Sequence, residues 1–155
     1  MRAIAFLGLL LIARQAYAHY IFDTIIYGSK SSTKAIRKPA ENAPVHNYTG
    51  SEITCNINTS KATQTVSIAA GSKITMELGE KKTIYHPGPV TIYLGKAPSK
   101  AADWEGTGKR WFKIAEWGPN LNPFSFNNII GKSTFTVTIP KEVLSGEVKG
   151  ALFIS

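Results

Sequence analysis

"SKITMEL", residues 72–78, decides how this sequence folds: Ile74, Met76 and Leu78 fall on one side of an extended chain, with Lys73, Thr75 and Glu77 on the other. Successive side chains of a strand point to opposite faces, so alternation of apolar and polar residues marks a strand with one buried face. Two further stretches repeat the pattern. "PVTIYLGK" (89–96) lines up Val90, Ile92 and Leu94, and "TFTVTIP" (134–140) sets Phe135, Val137 and Ile139 against Thr134, Thr136 and Thr138. "HYIFDTIIYG" (19–28) is rich in β-branched and aromatic residues and stops at a glycine. No long window carries a 3.6-residue apolar stripe, and turn residues in "AAGS", "HPGP" and "WGPNLNP" separate the strand candidates. The sequence predicts an all-β fold, an antiparallel β-sandwich, with a small barrel as the alternative. Two longer irregular stretches, 28–50 and 115–132, gather polar, Gly, Pro and Asn residues. Loops of that length in a compact domain are often functional.

Ahead of the first strand, Arg2, the apolar run "AIAFLGLLLIA" (3–13) and "AYA" (16–18) form the three parts of a secretory signal. The run is shorter than the ~20 residues a membrane-spanning helix needs. Cleavage after Ala18 is expected, leaving one domain over 19–155 that begins with His19, is secreted and keeps no membrane segment. Removing 1–18 takes away Arg2 and Arg14 from a chain of net charge +8. The remaining excess is scattered, whereas nucleic-acid binders concentrate basic charge on one stripe or helix, so no nucleic-acid partner is expected. The sequons "NYT" at Asn47 and "NTS" at Asn58 are acceptors for N-glycans in a secreted eukaryotic protein. The single cysteine, Cys55, is odd for an oxidising compartment: it is either buried and inert or lacks its partner.

A mature chain starting at His19 offers two nitrogen donors from one residue, an α-amine and an imidazole. The α-amine has an ordinary pKa near ~7.7–8, so a divalent metal displaces its proton far more readily than that of a lysine. One more imidazole completes a planar set of three nitrogens, which suits copper. The candidate is His86 in "IYHPGPVTIYLG", biased toward an extended conformation by the proline after it and held by a Pro-Gly-Pro turn at the mouth of the strand 90–94. A lone histidine before a turn also fits an ordinary surface residue, and His46 in "PVHNYTG" reads as one.

The mature start "HYIF", then "IRKPAENAPV" (36–45), "ITCN" (53–56), "AAGSKITMEL" (69–78), "HPGPVTIYLGKAP" (86–98), "GTGKRWFKI" (106–114) and "FTVTIP" (135–140) are in the order of the motifs of one family. Together they resemble the fungal lytic polysaccharide monooxygenases of auxiliary-activity family nine. The resemblance implies an immunoglobulin-like β-sandwich, monomeric, whose flat face carries one copper ion in a histidine brace. His19 would supply amine and ring nitrogen, and His86 the second ring. It implies oxidative cleavage of cellulose or another β-1,4-glucan at C1, C4 or both, with an external electron donor as reductant and dioxygen or hydrogen peroxide as co-substrate. Tyr20 and Tyr27 would contribute to an aromatic surface for sugar rings, although strand tyrosines more often pack a core.

After "FTVTIPKEVLSGE" (135–147) the family pattern continues into segments bearing a further histidine, a glutamine, an axial tyrosine and a second cysteine. This sequence instead reads "VKGALFIS" (148–155), so the resemblance implies a domain incomplete at its C-terminus and a Cys55 whose partner is absent. A non-catalytic secreted protein that binds copper or glucan is the alternative expectation.

Overall fold

The computed structural model describes residues 20–154, apart from 44, 46, 48, 58, 59, 144 and 147, with the last strand described by its backbone. The leader, His19, His46 and the second sequon at Asn58 therefore lie outside the described residues. Nine strands dominate the described residues: β1 (Phe22–Tyr27), β2 (Lys30–Ser32), β3 (Lys73–Leu78), β4 (Val90–Lys96), β5 (Trp111–Trp117), β6 (Asn120–Leu121), β7 (Phe124–Ser125), β8 (Thr134–Thr138) and β9 (Val148–Ile154). Among the described residues, helix is confined to one turn of α-helix, α1 (Glu52–Cys55), and one 3₁₀ turn at Gly79–Lys81.

The strands form two antiparallel sheets, β2-β1-β3-β8 and β5-β4-β9, with β6-β7 as a separate hairpin. The alternation of "SKITMEL" and its two counterparts becomes the inner faces of this sandwich. Ile74, Leu78, Phe135 and Val137 from one sheet and Val90, Ile92 and Leu94 from the other are all buried. Burial of each such side chain contributes about 1.5–3 kcal/mol. One cluster, built on Phe22, Leu78, Ile84, Val90, Ile129 and Phe135, fills one end, and a second, on Ile74, Ile92, Leu94, Val137 and Ile139, continues the core.

Five elements were not legible as strands. β5 lacks a clean alternation because its ladder with β4 shifts register beside Ile92 and Tyr93. Ile114 and Ala115, neighbours in sequence, consequently both pack against the second cluster, as expected where a bulge inserts one residue. β2 falls inside the stretch 28–50, and the hairpin β6-β7 inside 115–132. The tail beyond the family-like motifs is also ordered into the sheet: β9 pairs along the whole of β4, from Lys96 opposite Val148 to Val90 opposite Ile154. Among the described residues, no helix is long and apolar enough to cross a membrane.

Candidate functional site

The register of two antiparallel strands brings Tyr20 and the head of β1 to His86. Phe22, at the head of β1, is opposite Leu78, the last residue of β3. The residues before β1 and those after β3 thus share one end of the sandwich, and the Gly79 amide donates to the Ile21 carbonyl at 3.0 Å. From there residues 79–89 cross to the second sheet and enter β4 at Val90, carrying His86 over the first core cluster.

That crossover is pinned from below. Ile84, 1% exposed, donates its amide to the Lys132 carbonyl at 2.9 Å and accepts from the Gly131 amide at 2.7 Å. The next two amides, of Tyr85 and His86, both donate to the Tyr20 hydroxyl, at 2.8 and 3.1 Å. The rings follow the backbone: His86 is tilted against Tyr20 with centroids 4.9 Å apart and meets Tyr85 edge-on at 5.5 Å. His86 Nδ1 is 3.1 Å from the Pro87 carbonyl. A carbonyl oxygen can only accept, so this bond puts a proton on Nδ1; in the neutral ring the lone pair then lies on Nε2, a form in which imidazole ligates a metal.

Of the residues singled out in sequence, Tyr20 and His86 meet. His19 directly precedes Tyr20 in the chain but lies outside the described residues. Tyr27 is not brought to this end. It closes β1 opposite Ile74 and packs against the second cluster, a strand's length of about 17 Å away. Tyr85, 54% exposed beside His86, was not singled out. Its signal was available, since in an extended segment a buried Ile84 turns the next residue outward. Asn47 is exposed, and its Oδ1 accepts from the Thr49 hydroxyl at 2.9 Å and the Thr49 amide at 3.2 Å. Cys55 ends α1 as a partly buried free thiol. Among the described residues, no group of three or more His, Cys, Asp or Glu side chains is placed to hold a metal ion. A metal here would depend on few donors.

Ion pairs occur in the crossover itself, where Lys82 lies 2.7 Å from Glu80, and elsewhere. Arg37 makes a two-pronged pair with Glu105, at 2.8 and 2.9 Å, and that hydrogen bonding raises the guanidinium above its ordinary value. Lys61, 2.8 Å from Asp103, holds that carboxyl below the usual aspartate range.

The sequence profile of Auxiliary Activity family 9 (formerly GH61) matches residues 19–148. The chain belongs to this family. AA9 family lytic polysaccharide monooxygenase H of Malbranchea cinnamomea is 36% identical over 149 residues, covering 90% of this chain and 64% of that protein. AA9 family lytic polysaccharide monooxygenase A of Botryotinia fuckeliana is 35% identical, over 93% of this chain and 45% of its own length. The chain thus spans about half to two thirds of these family-9 relatives. A crystal structure of a cellulose-active polysaccharide monooxygenase from M. thermophila has the same fold, with a TM-score of 0.69 at 19% identity over 88% of this chain and 69% of that one. The β-sandwich expected from alternation is therefore the family-9 fold, and the match begins at His19.

Proposed function

We propose that this chain is a secreted, copper-dependent polysaccharide monooxygenase of family 9 that cleaves cellulose or a related β-1,4-glucan at C1, C4 or both. The observation that carries this reading is the meeting of Tyr20 with His86: the residue that follows His19 lies against the second histidine, at the end of the sandwich where the family match begins.

The donor set fits copper. An imidazole with its lone pair on Nε2, together with the amine and ring of a processed His19, gives three nitrogens, and copper stands near the top of the affinity order for such ligands. Bound copper, reduced by an external electron donor, supplies the oxidising chemistry with dioxygen or hydrogen peroxide. The chain's own residues hold and present the site. Pro87 fixes the tautomer of His86 through its carbonyl, and the buried Ile84 anchors the crossover to 131–132. Tyr85 offers an exposed aromatic ring to a sugar face beside the metal. Removal of the leader is part of the function, because the α-amine exists only after cleavage. Asn47, exposed and paired with Thr49, is the described acceptor for an N-glycan.

The test is Cu(II) titration of the secreted chain, its N-terminus confirmed as His19, followed by electron paramagnetic resonance and an assay for oxidised oligosaccharides on cellulose with a reductant. A nitrogen-rich axial signal that disappears in His86→Ala, together with oxidised products, is the expected result. Copper uptake without products would instead favour a non-catalytic binding protein. No specific copper signal would overturn the reading.

A further inference from the structure

We propose that the Tyr20 hydroxyl is a positioning group for His86, setting the backbone of that ligand relative to the first residue of the mature chain; this rests on the copper reading above.

A full account of backbone donors leads to it. Buried or half-buried amides need partners, and those of Ile84, Tyr85 and His86 each have a named acceptor. The Ile84 amide is taken by the Lys132 carbonyl, and those of Tyr85 and His86 by the single Tyr20 oxygen. Pro87 has no amide hydrogen to offer. A phenol oxygen has two lone pairs, so one hydroxyl can accept both bonds and point its own proton elsewhere. Tyr20 is therefore the only described side chain that closes the account for the two residues around the candidate ligand.

The ring and the hydroxyl of Tyr20 do separate jobs. The ring packs against the first core cluster and against the rings of Tyr85, at 5.1 Å, and His86, at 4.9 Å. Phenylalanine would serve there equally well. Only the hydroxyl can hold two successive amides, and it does so from the residue next to His19. A single side chain thereby ties the peptide that follows the amine ligand to the amide of the second ligand, across 66 positions of sequence. The tie bypasses the longer route through β1, β3 and the 3₁₀ turn. Groups that orient metal ligands without touching the metal typically change affinity by ~10–100-fold when removed.

Tyr20→Phe, in the full processed chain, separates the two jobs. In the metal-free protein, hydrogen exchange at the Tyr85 and His86 amides should accelerate at least about tenfold while the Ile84 amide stays protected, since its partner is untouched. Cu(II) binding should weaken by about 10–100-fold, with an altered hyperfine pattern in the paramagnetic resonance spectrum. Thermal unfolding, followed in parallel, should move little because the ring remains. Unchanged exchange at residues 85 and 86 would show that the hydroxyl does not hold them, and would overturn the proposal. Faster exchange with wild-type copper affinity and spectrum would also overturn it, leaving the copper reading intact. A wild-type chain that takes up no copper would remove the copper reading itself, and the positioning role with it.

Discussion

Trp117 stands edge-on to Phe135 with ring centroids 5.1 Å apart, and through that contact the two sheets close at the end that carries His86. Trp117 ends β5 opposite Val90, the first residue of β4. Phe135 is 2% exposed and also meets Phe22 at 5.9 Å. Phe135→Ala should cost about 3–5 kcal/mol, the range for emptying a fully buried phenylalanine site. Urea unfolding of the two proteins measures it. A loss below about 1 kcal/mol would mean that this end is not packed as described.

Gly95 provides a test with the opposite sign of volume change. A Cβ built there would lie 2.8 Å from ring atoms of both Trp104 and Trp111, which are stacked 5.2 Å apart. Neither ring can withdraw without breaking its indole hydrogen bond, Trp104 to the Thr107 carbonyl and Trp111 to that of Gly106. Gly95→Ala is expected to destabilise by about 1–3 kcal/mol through overpacking. Thermal unfolding, with tryptophan fluorescence as a second probe of the stacked pair, checks it.

The hairpin β6-β7 has two unlike faces. Leu121 and Phe124 are cross-strand partners, 81% and 70% exposed, while the next pair, Asn120 and Ser125, is polar. Leu121→Ser and Phe124→Ser should each change stability by less than about 0.5 kcal/mol. Phe126, two residues on, packs against the first core cluster. Phe126→Ala should cost about 1–2 kcal/mol, less than a fully buried ring. Chemical unfolding of the three variants ranks them, and equal effects at all three would contradict the burial described.

The pair of Lys61 and Asp103 sets a small, signed pH dependence. The folded pKa of Asp103 is lowered from 3.8, so whatever the pair contributes is present in full above that value and lost as the pH falls through the folded one. Asp103→Asn and the wild type should differ slightly in Tm at pH 6 and converge as the pH falls below the folded value. The difference is small because both partners are about half exposed to solvent and screened. Arg37 behaves oppositely. Its pKa is raised, so the guanidinium itself keeps its charge at every pH below the arginine range. A divergence of the two melting curves on acidification would reverse the assigned sign.

Three strands could be read directly because each buries one face along its whole length, so local alternation in 72–78, 89–96 and 134–140 is the fold's own pattern. β5 could not, because its bulge puts Ile114 and Ala115 on the same core and breaks the period that marks a strand. β6 and β7, two residues each, are too short to show any period.

The candidate site divides in the same way. His19 and His86 are proposed on their chemistry: an amine with an imidazole once the chain is processed before His19, and a second imidazole before a rigid turn. The sequence by itself determined the candidate donors, the alternating inner faces and the family-like order of motifs, all of which depend on neighbours a few residues apart. Only the tertiary structure decided that Tyr20 reaches His86, that Tyr27 does not, and that Tyr85 faces outward beside it. Those outcomes follow from the register of β1 against β3 and from hydrogen bonds joining residues more than sixty positions apart. Which strand ends meet is fixed by how the sheets pair and cross, and no local period records it.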